Sequence, residues 1–331
     1  MAKQFGTVLD LAARRGTDKE IGLVQQIVNY APEITTIMGR TIPGTFTEAK
    51  IQVGISQGGT FRSFNQGIST SAATYERRRF NAYGFDSQLR IDEMEARAAA
   101  QQGDSLGDLQ ADEVNGALQD KAIKFSQQFY GGLGLNAAGF PGLIDLLKIY
   151  QGVTDSRTGK GIVNYIDAGG TSGATENVWY VYAHPQGVHF LFGGDSIIDV
   201  NPWVWQYVPG NDPKAPNTQY RALCSNLLGF IGLCAAHPWS VACIKNIDAT
   251  HPWTDALSAK LHALLPVGIV PTHCFASKRA RGGLQQSRTV TLFGQAGIKP
   301  NQATIAPIPT VDIEGIPIIP TDGIQLQANP I

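Results

Sequence analysis

Charge is scarce in this sequence. Asp, Glu, Lys and Arg make up 16% of its 331 residues, against roughly a quarter in ordinary globular chains. The 26 basic and 27 acidic residues leave a formal net charge of −1, so no global field draws the chain to nucleic acid or anionic lipid, and any such contact has to be local. Cysteine is sparse too. Cys224, Cys234, Cys243 and Cys274 form no CxxC pair, and a chain of this length has no need of disulfide staples, so they read as reduced, buried thiols. Long apolar runs are missing: the most apolar stretch, Leu223 to Val241, is broken by Ser225, Asn226, His237, Pro238 and two glycines. That stretch fits buried strands rather than a membrane span. Asp10, Arg14 and Arg15 interrupt the N-terminal region, so no secretory signal is expected.

Signatures of catalysis are also lacking. There is no GxxxxGK[ST] phosphate loop and no GxSxG elbow, and Gly132-Leu133-Gly134 follows a helical stretch where a dinucleotide fold needs a strand. Cys234 and His237 have a metal-like spacing, but the other half of such a site would be His273-Cys274, whose adjacent side chains point to opposite faces of a strand. The six histidines are scattered. The carboxylates Asp92, Glu93, Glu95, Asp112 and Glu113 sit in polar helical stretches that read as solvated faces. No enzyme activity, cofactor or metal is expected.

Apolar residues and backbone punctuation are plentiful. Hydrophobic residues reach 43%, with 37 Gly and 18 Pro, which excludes wholesale disorder; at about 150 residues per domain the length suits two domains. Thr17 and Glu20 open an amphipathic segment with Ile21, Val24 and Val28 on one face, stopped by Pro32. From Thr41 to Leu89 the chain is rich in Gly, Ser, Thr and Gln, with alternating apolar positions that suit a long ribbon too poor in large apolar residues to bury a core of its own. A helix is expected over Ile91–Gln101. Ser105 and Asp108 then cap a second of about 25 residues with Leu106, Leu109, Val114, Leu118, Phe125 and Phe129 on one stripe. Gly131 to Gly134, then Gly139-Phe140-Pro141-Gly142-Leu143, stop it. Beyond lie a strand pair, Val178–Tyr182 and Val188–Phe192, joined through His184-Pro185-Gln186-Gly187, and strand material over Tyr220–Ile247. A helix over Thr254–Leu265, a strand over Val267–Phe275, a basic helix over Ser277–Gln286 and an extended proline-rich tail complete the chain.

The basic clusters are Arg77-Arg78-Arg79 on the ribbon and Lys278, Arg279, Arg281 and Arg288 around the late helix. On an alternating strand Arg77 and Arg79 share a face with Tyr75, which suits carboxylates of a neighbouring chain or phosphates.

The order of these segments resembles the major capsid protein of tailed bacteriophages, an α+β fold of the Hong Kong type. Tyr30-Ala31-Pro32-Glu33, Arg40-Thr41-Ile42-Pro43-Gly44, Phe140-Pro141-Gly142 and Ile244-Lys245-Asn246-Ile247 are similar to the epsilon-fifteen-like and Bordetella-phage group. The resemblance implies an N-terminal arm (1–40), an extended loop lying across a neighbouring subunit (41–88), a peripheral domain (89–250) with a spine helix over 105–130, and an axial domain (251–331). Because strands like those that close the family's chain come early, a permuted order is expected, with the peripheral domain complete by about residue 250. The resemblance further implies a structural protein that self-assembles into hexamers and pentamers of an icosahedral head around double-stranded DNA. Its partners would be further copies of itself, a portal, and scaffolding and decoration proteins, with no membrane partner. It would be built in the host cytoplasm and reside in the virion. An encapsulin-like compartment shell is the alternative, followed by an oligomeric enzyme. Inter-subunit contacts are expected at Ile21, Val24 and Val28 on the arm, and at Phe61, Phe64, Tyr75, Arg77, Arg78 and Arg79 on the ribbon. No long helical segment precedes the arm, so cleavage of a large prodomain is not expected.

Overall fold

A computed structural model describes residues 31–55, 61–67, 70, 72–103, 105–151, 153–154, 161–171, 173–193, 199–210, 218–288 and 311–326. Two six-stranded sheets form the body. The first holds β1 (Gly39–Ile42), β4 (Tyr83–Asp92), β7 (Val188–Gly193), β8 (Asp199–Val200), β9 (Val204–Pro209) and β10 (Gln219–Ala235). They run in the order β1-β7-β10-β4, with β8 and β9 also pairing with β10. The second holds β5 (Tyr165–Asp167), β6 (Glu176–Val181), β11 (Val241–Ile247), β12 (His273–Ala276), β13 (Asp312–Ile313) and β14 (Ile316–Pro320), in the order β13-β14-β12-β6-β11-β5. A separate antiparallel pair, β2 (Phe46–Ile55) and β3 (Ala73–Asn81), makes the ribbon.

Six helices accompany the sheets among the described residues: α1 (Glu33–Thr36), α2 (Glu93–Gln102), α3 (Leu106–Gly131), α4 (Leu143–Gln151), α5 (Asp255–Leu264) and α6 (Lys278–Ser287). The expected Ser105–Asp108 cap is present, and Asp92, expected on a solvated helix face, is itself a cap. Asp92 accepts from the Met94 amide at the start of α2, Gly103 adopts a left-handed φ of 91° at its end, and Ser105 and Asp108 form a full capping box on α3. Only part of the expected α3 stripe is buried. Phe125 and Phe129 enter the main core and Leu109 packs with Ile91, Ala99 and Leu223, while Leu106 and Leu118 stay 37% exposed.

The second sheet shows how strand periodicity builds this core. Trp179, Val181, Val241, Cys243 and Phe275 face α3 and α4, where they meet Phe129, Leu143, Leu147 and Tyr150. The alternate residues Val178, Tyr180, Ala242, Ile244 and Cys274 face α5 and α6, against Trp253, Leu261, Ala280 and Leu284. A sheet covered on both faces needs apolar residues at every position, and every residue of β6 is buried. Two polar groups in this layer share one acceptor: the Tyr180 hydroxyl and the Trp253 indole each donate to Ser258 Oγ at 2.8 Å.

Three expectations are corrected here. Val178–Tyr182 and Val188–Phe192 do not pair as a hairpin: β6 lies in the second sheet and β7 in the first, linked by one isolated bridge, Ala183 to Val188. Both strands are buried on both faces over most of their length, and they pair with the longer strands β11 and β10 respectively. The strand expected over Val267–Phe275 shrinks to His273–Ala276, since Val267 is fully exposed near Pro266 and Pro271. The chain also does not divide at residue 250. Strands at 165–181 and 241–247 share a sheet with those at 273–276 and 312–320, and the 182–236 stretch between them supplies β7 to β10 of the other sheet.

Candidate assembly surfaces

No residue of β3 is buried, and the described side chains of β2 are half-buried at best. The register Glu48↔Arg79, Lys50↔Arg77 and Gln52↔Tyr75 puts one set of side chains on the outer face, and Ala49↔Arg78 with Ile51↔Glu76 on the other. The outer face thus carries Lys50, Arg77 and Arg79 against one carboxylate, Glu48. Aromatic rings order two of these cations: Lys50 Nζ lies 4.2 Å from the Tyr75 ring centroid, and the Arg79 guanidinium 3.8 Å from that of Phe46. Such contacts stiffen the side chains while leaving their charge exposed. Tyr75, Arg77 and Arg79 therefore share a face as the alternation predicts.

Arg78 turns the other way. Its side chain is 14% exposed, 3.4 Å from Glu76 and 5.1 Å from the ring of Tyr150 in α4. Burial pushes the Tyr150 hydroxyl up to about 12, against the opposing pull of Arg78, and that hydroxyl donates to the Ala235 carbonyl. Arg78 thus joins the ribbon to its own body. Near the ribbon tip, Phe61 and Phe64 are 107% and 101% exposed. Their local turn is closed by Arg62 Nη1 donating to the Gln66 carbonyl at 2.8 Å and the Ser63 amide donating to Gln66 Oε1 at 2.9 Å. Ile21, Val24 and Val28 lie outside the described residues.

A second exposed surface escaped the sequence reading. On the β9–β10 pair, Val204 is 59% and Tyr207 70% exposed; the Arg221 guanidinium lies 5.1 Å from the Trp205 ring and 3.5 Å from Glu93. The run Val204-Trp205-Gln206-Tyr207-Val208 between Pro202 and Pro209 carries the strand signal.

The family-like motifs prove to be joints of the fold. After α3, Gln128 Nε2 donates to the carbonyls of Phe140 at 2.7 Å and Asn136 at 3.2 Å, and Asp145 Oδ2 accepts from the amides of Leu133 at 2.7 Å and Gly142 at 3.1 Å. A Cβ on Gly142 would stand 2.5 Å from the Gln128 carbonyl oxygen and 2.6 Å from the Gly132 nitrogen, which accounts for glycine there. In Ile244-Lys245-Asn246-Ile247, Asn246 adopts a φ of 59° at a break in the β11–β6 register. Its amide donates to Asn177 Oδ1 at 3.1 Å and its side chain to Asp167 Oδ2 at 2.9 Å.

Chemistry-bearing residues do not converge. Cys234 lies in the first sheet, Cys274 and His273 in the second, and all four cysteines are buried and free. Burial raises Cys234 to about 12, and Cys243 and Cys274 higher still. Among the described residues no group of His, Cys, Asp and Glu could hold a metal ion, and no helix is long and apolar enough to cross a membrane.

No protein-family description and no curated protein matches the sequence. Solved structures do match in shape. A chain of the bacteriophage Epsilon15 structure is 15% identical, with a TM-score of 0.67 over 100% of this chain and 98% of that one. The bacteriophage JBD30 capsid aligns at 9% identity and a TM-score of 0.48, over 97% and 99%. The encapsulin complex of Synechococcus elongatus aligns at 9% and 0.44, over 73% and 96%. Through the end-to-end match with the Epsilon15 chain, this protein has the tailed-phage capsid fold that the order of its segments resembles.

Proposed function

We propose that this protein is the major capsid protein of a tailed phage, a non-catalytic subunit that assembles with copies of itself into an icosahedral shell around double-stranded DNA. The observation that carries the reading is the whole-length fold match to the Epsilon15 chain. The ribbon supports it: a two-stranded pair is marginal alone in water, and this one exposes Phe46, Phe61, Phe64 and Tyr75 without burying any residue of β3. Apolar area removed from water on a neighbour contributes about 25 cal/mol per Å², so association lowers the free energy of a surface that the single chain leaves wet. Ribbon residues Phe61, Phe64, Tyr75, Arg77 and Arg79 are the proposed contacts, with Ile21, Val24 and Val28 on the arm. Arg78 instead fixes the angle at which the ribbon leaves the body. In this reading the first sheet with α3 is the peripheral part and the second sheet with α5 and α6 the axial part. Subunits would form hexamers and pentamers in the host cytoplasm and end in the virion, with portal, scaffolding and decoration proteins as further partners.

Expression of the full-length chain followed by sedimentation and electron microscopy tests the reading. Large closed shells are expected. A chain that remains monomeric, or stops at a small closed ring at every concentration tried, overturns it.

A further inference from the structure

Glu33 is completely buried, yet none of the described residues supplies it with a counter-charge. It opens the four-residue helix α1 and reaches a pocket made by two other parts of the chain. From α3, the Tyr130 hydroxyl donates to Glu33 Oε2 at 3.4 Å; from the C-terminal segment, the Thr321 hydroxyl donates to the same oxygen at 3.3 Å. Both bonds are long, and Glu33 Oε1 and the nearby Ser126 Oγ of α3 are buried with no hydrogen-bond partner. The groups facing Glu33 are Ser126 and Tyr130 from α3 and Thr321 from the tail, while Cys274 of β12 acts on Tyr130. No charged side chain acts on Glu33 from any of these elements, and no lysine, arginine or histidine pairs with it among the described residues.

The three segments meet closely. Pro32, Glu33 and Ile37 are the buried residues at this end of the described chain, and the hydroxyls of Thr35 and Thr36 turn back to the Pro32 carbonyl instead of holding the body. On the other side, a Cβ on Gly323 would stand 2.0 Å from Ser126 Oγ, and the Gly323 amide donates to Thr321 Oγ1 at 3.1 Å. An ionised carboxylate in such a site loses its hydration, and the Ser126, Thr321 and Tyr130 hydroxyls and its own backbone amide do not make up the loss, whereas the protonated acid loses far less and gains a donor of its own.

We propose that Glu33 is a proton-operated latch: protonated, it pins residues 32–37 and 321–323 to α3, and loss of its proton releases both segments from the helix. Burial raises Glu33 above its ordinary value of 4.5. The docked state therefore holds the proton more tightly than the released state, and docking weakens as pH rises from 4.5 through the raised value, then levels off. One proton linked in this way changes the opening equilibrium up to about tenfold per pH unit inside that window. The inference stands whether or not the chain forms a shell.

Hydrogen exchange of the full-length chain between pH 4.5 and 8.5, corrected for intrinsic rates, tests it on peptides covering 31–42 and 316–326, with a β11 peptide as reference. In the wild type both peptides are expected to lose protection together as pH rises, up to about tenfold per unit, then reach a plateau. Glu33→Gln, which keeps the shape without the charge, is expected to stay protected with no pH dependence. Thr321→Val removes a hydroxyl that favours the ionised form and is expected to move the transition to higher pH. The wild-type series needs no variant to fold. Wild-type protection that does not change with pH, a Glu33→Gln protein that retains the wild-type pH dependence, or a Thr321→Val shift to lower pH would each overturn the proposal.

Discussion

Replacing Phe61 and Phe64 together by serine separates what the ribbon does for its own chain from what it does for a neighbour. Both rings are fully exposed, at 107% and 101%, so the isolated subunit gains no burial from them. Substitution of such residues changes stability by less than about 0.5 kcal/mol, a shift in melting temperature of less than about 2 °C for a chain this size. On a neighbour the account differs. A phenylalanine that becomes fully buried contributes roughly 2–3 kcal/mol, and allowance for side-chain ordering leaves about 4 kcal/mol for the pair. Since every 1.4 kcal/mol is about tenfold in an equilibrium, the concentration needed for assembly should rise by roughly three orders of magnitude. The assay is a concentration series of purified subunits, scored for particles by sedimentation and microscopy, beside thermal unfolding of the unassembled chain. Assembly at the wild-type threshold would show that the rings stay in water in the particle. A fall of 5 °C or more in the melting temperature of the unassembled chain, against the about 2 °C allowed above, would show that they pack on their own subunit. Either result refutes the reasoning.

Reversing Arg77 and Arg79 to glutamate should lower assembly yield with little effect on the unassembled chain, and the loss should shrink as salt is raised; Arg78→Ala should instead lower the melting temperature, because Arg78 packs over Tyr150. Gly142→Ala should destabilise the chain by about 1–3 kcal/mol in denaturant unfolding, since the new methyl would meet the backbone of Gln128 and Gly132. Gly116→Ala, in open space on α3, should stabilise it by up to about 1 kcal/mol. The four thiols should resist a maleimide at pH 8 in the folded chain and react fully once it is denatured, as judged by mass spectrometry.

Local features of this fold were legible in the sequence because local rules govern them. Ser105 and Asp108 announce the start of α3, Gly103 the end of α2, and the alternation of Tyr75, Arg77 and Arg79 their common face. Sheet membership was not legible. Residues 178–181 and 188–192 are apolar at nearly every position, and a strand buried on both faces carries no periodic mark of its partner. Their closeness in sequence therefore suggested a hairpin where the fold has two strands of different sheets. The same limit applies to the division at residue 250, since nothing local to β6 and β11 records that β12 and β14 complete their sheet. Glu33 closes the Tyr30-Ala31-Pro32-Glu33 motif, but its burial depends on Tyr130 and Thr321, the latter 288 positions away. Which side of the ribbon meets the body depends likewise on Tyr150, so Arg78 could not be told apart from its neighbours by sequence alone.

The junction between ribbon and body has a mechanical consequence. Asn81 ends β3 and Tyr83 begins β4, with Ala82 alone between them, and Ala82 is itself held by its amide to the Thr45 carbonyl at 2.7 Å. Strand β4 then lies along β10 from Tyr83↔Ile231 to Asp92↔Ala222 without a break in register. Tension applied through the ribbon along this line runs parallel to the strands and across their hydrogen bonds, which in an antiparallel pair stand perpendicular to the chain. The bonds are then loaded together in shear, and none can open first in the manner of a zipper. Strand β10 spreads the load further, because its other edge is bonded to β7 through Ile231–Ala235 and to β9 through Gln219–Cys224. A pull on the most exposed part of the subunit is therefore borne by the whole first sheet.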